Sequence, residues 1–295
     1  MKTFRNYIVI ALILATALSS CRSSGIKNDR GETLRIVYTD WSEAVAITHL
    51  AKVLLEDELQ YNVELKQANV EEVYSDLSTG NAHVFADAWL PETHRFYIDK
   101  YELGAFDQIG IIYPGARTGL IVPAYSRFSS IDDLLNEDSL VIFGIEAESG
   151  VMVQAAESIE RYGMSNIYLV ETSEAEMLQK FTESYNHRYE IVITGWEPHW
   201  LFDRFDVRFL NDPKSVFGAK ENISALGCKG LSELRPRAYR FFERMQLSEK
   251  QFNRLMYYVQ QYNDPEMGVR EWIRQNEYVV NQWIKGLKPE RMKIM

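Results

Sequence analysis

Ile191-Val192-Ile193-Thr194-Gly195-Trp196-Glu197-Pro198-His199-Trp200 is an apolar strand-like run that ends in a tryptophan and then opens a helix. Two other stretches have the same form. Leu34-Arg35-Ile36-Val37-Tyr38-Thr39-Asp40-Trp41 is one. The other is His83-Val84-Phe85-Ala86-Asp87-Ala88-Trp89, continued by Leu90-Pro91-Glu92-Thr93-His94. A buried strand that feeds a helix is the repeating unit of an α/β protein. Ligands of open α/β sheets bind in the crevice beyond the carboxyl ends of the strands. A strand ending in Trp puts a flat π face there. Three such faces can wall a cage for a cation that has no N–H to donate, a quaternary ammonium.

Outward from these runs the alternation continues, which sets the class as α/β with a mainly parallel sheet. Ala44 to Leu55 is apolar at helical spacing, Tyr61 to Leu65 is a strand, and Glu71 to Leu77 is a helix with Gly80 as its stop. Tyr113-Pro114-Gly115 followed by Ala116 to Pro123 reads as a turn and an extended strand crossing between lobes. A second series follows: a short helix at Ile131–Leu135, a strand at Ser139–Ile145, a helix at Gly150–Tyr162 and a strand at Ile167–Glu171. Ser173-Glu174-Ala175-Glu176 is a capping box opening a helix to about Tyr185. Phe205 to Leu210 reads as the return crossing, and the pattern is helical from about residue 232. The expected division is a lobe of residues 33–118 with 224–295, carrying a helical tail, and an inserted lobe of 119–223. Two connections between lobes make a hinge suited to closing around a ligand.

The N-terminus reads as an export signal, residues 1–20. Lys2 and Arg5 precede an apolar core, Tyr7–Leu18, too short to span a bilayer. Leu18-Ser19-Ser20-Cys21 resembles a bacterial lipobox, which predicts acylation of Cys21 and anchoring to the cell envelope. Residues 21–32 then read as a lipidated tether. Lys+Arg 32 against Asp+Glu 42 leaves a net charge of −10, which argues against a nucleic-acid partner. Cys228 is the only other cysteine and reads as a small buried apolar residue.

These motifs resemble the extracytoplasmic substrate-binding proteins of glycine betaine/proline betaine ABC transporters. The resemblance rests on Ala88-Trp89-Leu90-Pro91-Glu92-Thr93-His94, on Thr194-Gly195-Trp196-Glu197-Pro198-His199-Trp200, and on the weaker Asp40-Trp41, Thr118–Pro123 and Gly150-Val151-Met152 segments. It implies a type II periplasmic-binding-protein fold with the ligand in the cleft between the lobes, and Trp41, Trp89 and Trp196 around the ammonium group. It implies that the N–H groups of Gly150 and Val151 meet the ligand carboxylate, with His94 assisting. It further implies an ABC permease as partner, no cofactor and a monomeric receptor. Choline or carnitine is the alternative ligand within the same fold, and a sensor for another solute is the alternative role.

Two departures stand out. Ser42 follows Trp41 where the family usually has Asp, and Glu146-Ala147-Glu148-Ser149 replaces a Gly-rich turn. Glu148 pointing inward would favour choline over betaine; pointing to solvent, it changes little. Tyr113 is either an extra cage wall or a strand residue packed under the hinge. Glu43 either contacts the cation or sits in the first helical turn, where an acid suits the helix dipole. Trp200, Trp272 and Trp283 are expected in packing, and His49, His83, His187 and His199 in structural or exposed roles. No nucleophile elbow, phosphate loop, dinucleotide fingerprint or paired-His metal spacing is present, so neither an enzyme nor a metal site is expected.

Overall fold

The computed structural model describes residues 28–262 and 264–289. The signal segment and Cys21 lie outside the described residues. Asp29, within the stretch read as a tether, is buried: Arg237 Nε donates to its Oδ1 at 2.6 Å, and the Tyr61 hydroxyl donates to Oδ2.

The elements run β1 (Thr33–Tyr38), α1 (Ser42–Asp57), β2 (Asn62–Gln67), α2 (Val70–Thr79), β3 (Val84–Leu90), α3 (Arg95–Asp99) and β4 (Phe106–Pro123). A 3-10 turn, Ile131–Asn136, leads to β5 (Leu140–Phe143), α4 (Gly150–Tyr162), β6 (Ile167–Val170), α5 (Glu174–His187), β7 (Val192–Glu197), α6 (Leu201–Arg204) and β8 (Val207–Phe209). The chain then forms β9 (Glu221–Cys228) and five helices: α7 (Leu231–Leu234), α8 (Pro236–Arg244), α9 (Glu249–Gln261), α10 (Pro265–Gln275) and α11 (Glu277–Ile284).

The strand order is β2-β1-β3-β9-β4-β7-β5-β6, with β8 beside β4. β4 belongs to both halves. Its first part, Phe106–Ala116, pairs with β9, and Arg117–Pro123 pairs with β7 and β8. The sheet is therefore mixed rather than mainly parallel. β1 with β2 and β3, and β5 with β6 and β7, are parallel, as crossover helices require. Every pairing of β4 and β9 is antiparallel, because these two strands carry the chain between the halves in opposite senses.

Three local expectations change. Pro114-Gly115 is not a turn. The strand runs through it with a register shift, and Gly115 takes φ +86 at the bulge, a conformation costly for other residues. The segment at Phe205–Leu210 does not cross back. Its β8 pairs with Val122 and neighbours inside the second lobe, and β9 makes the return. β9 itself is a strand that the sequence pattern hides, since Asn222, Ser224 and Gly227 dilute its apolar signal.

The helical tail packs on the first lobe, α9 and α10 against α1. Trp272 and Trp283 stack with centroids 6.2 Å apart, and Trp272 Nε1 donates to the Gln251 carbonyl. Among the described residues, no helix is long and apolar enough to cross a membrane.

Candidate ligand-binding site

The site begins with strand geometry. β1, β3 and β7 deliver their tryptophans at or just past their carboxyl ends. Trp41 follows β1 by three residues and is the N-cap of α1. Trp89 and Trp196 lie within β3 and β7 themselves. The three indoles line one small cavity. Thr93 and His94, from the loop after β3, share that cavity with Ser149, Gly150 and Val151 at the start of α4. All three tryptophans are buried, and all three line this same cavity.

Each indole N–H donates to a carboxylate. Trp196 Nε1 meets Glu43 Oε2 at 2.8 Å, Trp89 Nε1 meets Asp87 Oδ1 at 3.2 Å, and Trp41 Nε1 meets Glu146 Oε2 at 3.4 Å. The Asp87–Trp89 pair follows from strand periodicity, because residues two apart share a face. These bonds hold each ring by its N–H edge. Glu43 also lines the cavity. Burial holds its carboxyl well above the usual range, and the nearby Asp87 and Glu174 push the same way. Burial raises Asp87 strongly as well, and raises Glu146.

His94 is buried, not on a helix surface. The Trp89 backbone N–H donates to its Nδ1 at 3.2 Å, and the Tyr74 hydroxyl lies 3.1 Å from the same atom. Burial brings its pKa down to about 3, so the ring is neutral and, with Nδ1 accepting, carries its proton on Nε2.

The lobes touch across the cleft. The Trp196–Glu43 and Trp41–Glu146 bonds both span it. Glu174 of α5 accepts from the Ser42 backbone N–H at 2.9 Å and from the Ser42 hydroxyl. Trp200 Nε1 donates to Ser42 Oγ at 3.2 Å, and His199 Nε2 lies 3.1 Å from Glu174 Oε1. Tyr97 donates to the Glu148 carbonyl at 2.5 Å. Gly150 faces Thr93 so closely that a Cβ there would sit 2.2 Å from Thr93 Cγ2 and 2.7 Å from its carbonyl oxygen.

Six of the seven residues singled out for the ligand thus meet in one place: Trp41, Trp89, Trp196, His94, Gly150 and Val151. Tyr113 does not line the cavity; it is a buried residue of the crossing strand β4 with its ring edge against Phe252. Glu148 is exposed and lines a neighbouring groove instead of the cavity. Cys228 is a buried free thiol. His199 and Trp200 are neither exposed nor simply packed, since both join the Ser42–Glu174 contact. That contact was not legible, because Ser42 and Glu174 are 132 residues apart. Among the described residues, no group of three His, Cys, Asp or Glu side chains is placed to hold a metal ion.

A two-lobed α/β body with a walled cleft at its strand ends is the architecture of periplasmic-binding-protein-type solute receptors. Comparison with known proteins narrows this class. The chain belongs to the family described as the substrate binding domain of ABC-type glycine betaine transport systems, whose pattern matches residues 32–275. It is 32% identical over 180 residues to the glycine betaine/carnitine transport binding protein GbuC of Listeria monocytogenes serotype 1/2a (strain 10403S). That match covers 60% of this chain and 59% of GbuC, so it spans less than two thirds of that relative's length. Among solved structures, it is similar to lactococcal OpuAC in its closed-liganded conformation with glycine betaine. The TM-score there is 0.82 at 30% identity, covering 86% of this chain and 100% of that one. The glycine/betaine/L-proline-binding protein ProX of Borrelia burgdorferi gives a TM-score of 0.81 at 28% identity, covering 88% and 97%.

Proposed function

We propose that this protein is the extracytoplasmic solute-binding component of an ABC importer. It captures a quaternary ammonium compound of the glycine betaine/proline betaine class and delivers it to a membrane permease, serving osmoprotectant uptake. The observation that carries this reading is the convergence of three indoles from separate chain segments with the free N–H groups at the start of α4. A betaine nitrogen carries four carbons, so cation–π and dispersion attraction are what can hold it. Each desolvated ring contributes about 1–2 kcal/mol, and three give ~3–6 kcal/mol. Micromolar affinity needs about 8 kcal/mol. A carboxylate at the N-terminus of α4, favoured by the dipole and by unpaired N–H groups, closes the gap. The exposed position of Glu148 removes the carboxylate that would have opposed such an anion, which favours betaine over choline.

In this reading Trp41, Trp89 and Trp196 form the cage, Gly150 and Val151 bind the carboxylate, and His94 Nε2–H assists. The two lobes in this reading hinge near Ala116–Arg117 and just before Glu221, a placement supported by the change of β4 from pairing with β9 to pairing with β7 there. In the same reading the protein is a monomer anchored through acylated Cys21 to the bacterial cell envelope, on its periplasmic or extracytoplasmic face, and it turns nothing over. Titration of the purified protein with glycine betaine, proline betaine, carnitine and choline, followed by tryptophan fluorescence, tests the central claim. Saturable change with a betaine supports it; no change with any of the four at millimolar concentration refutes it. Loss of metabolic palmitate labelling in Cys21→Ser tests the anchor.

A further inference from the structure

Serine at a helix N-cap ordinarily turns its hydroxyl back to accept from a backbone N–H of the first turn. Three serines of this protein do so. Ser130, Ser173 and Ser248 each accept from the N–H two or three residues on, each within a capping box. Ser149 caps α4 with the same extended backbone, φ −65 and ψ 147, yet makes no side-chain cap bond. Its hydroxyl is buried and has no hydrogen-bond partner, and the residue, 1% exposed, lines the tryptophan-walled cavity.

Three hydroxyl side chains line that cavity. Thr93 donates to Glu221, and Thr118 donates to Gln154 Oε1 at 2.6 Å. Ser149 alone has a hydroxyl proton to offer. It stands beside the backbone N–H groups of Gly150 and Val151, which have no acceptor within the helix. A buried hydroxyl without a partner costs free energy that a bound acceptor would return.

We propose that the Ser149 hydroxyl donates a third hydrogen bond to the ligand's carboxylate and is a specificity-determining residue, selecting carboxylate-bearing ammonium compounds over those with an uncharged end. The assignment rests on the ammonium-receptor reading of the site. It concerns only the anion end of the ligand, so the two ends can be tested apart.

The experiment measures dissociation constants for glycine betaine and for tetramethylammonium, which has the cation and no carboxylate, in wild type and Ser149→Ala. The expected result is about tenfold weaker betaine binding, one hydrogen bond to a charged group, with tetramethylammonium changed less than twofold. The thermal midpoint of the ligand-free variant should equal or exceed that of wild type, because no cap bond is lost and an unpartnered buried hydroxyl is removed. Betaine binding undiminished in Ser149→Ala, or both ligands weakened alike, overturns the assignment while leaving the receptor reading intact. Failure of the wild type to bind either ligand overturns the receptor reading and this assignment with it.

Discussion

Trp89 concentrates the chemistry of the site in one side chain. Its indole N–H is held by Asp87, its backbone N–H is taken by His94, and the residue lines the cavity. Removing the ring takes away roughly 1–2 kcal/mol of cation–π attraction and the apolar wall with it. Trp89→Ala should weaken betaine binding at least tenfold by calorimetry, and an unchanged affinity would take Trp89 out of the cage. Gly150 makes a different demand. It is needed for the space that Thr93 fills from the facing lobe, since any Cβ would meet both a methyl and a carbonyl. Gly150→Ala should fold normally by circular dichroism yet bind betaine at least tenfold more weakly, because the lobes can no longer approach.

At the scale of elements, α1 has an unusual beginning. Its N-cap is Trp41, which makes no side-chain cap bond. The acceptor is supplied from the other lobe, by Glu174 on the Ser42 N–H and hydroxyl. A carboxylate at a helix N-terminus is favoured by the dipole as well as by the hydrogen bonds. Since this contact exists only across the cleft, it should act on release and not on capture. Glu174→Gln is expected to raise the betaine dissociation rate about tenfold with little change in association, measured by stopped-flow fluorescence. Equal changes in both rates would contradict a role confined to the closed protein.

For the whole molecule, the buried histidines set the response to acid. His94 and His83 have pKa values lowered to about 3 and about 4, both chiefly by burial. The unfolded chain therefore takes up these protons first as pH falls below about 6.5. Their contribution to stability is complete above that value. It is lost downward towards pH 4 and pH 3, at ~1.4 kcal/mol per pH unit for each. Glu43 and Asp87 act with the opposite sign: their raised pKa values make the folded state cost less as acid protonates them. His94→Asn keeps an acceptor for the Trp89 N–H and removes the titration. Denaturant melts from pH 7 to pH 4 should show wild type losing stability relative to this variant as pH falls. Parallel curves would mean that His94 is not held neutral.

The alternation of runs, the capping box at Ser173–Glu176, the stop at Gly80 and the three tryptophan-ended segments were all readable in the chain, and they were enough for the α/β class and the three tryptophans of the candidate site, while His94, Gly150 and Val151 entered through the family resemblance. Those signals are local: a period, a cap or a turn residue acts within a few positions of itself. Tertiary structure alone decided that β9 makes the return crossing and that Tyr113 packs on Phe252. It also decided which carboxylate meets which indole and that Glu174 caps a helix 132 residues away. Such contacts depend on how two lobes are folded and brought face to face, and no spacing along a chain encodes the distance across a cleft.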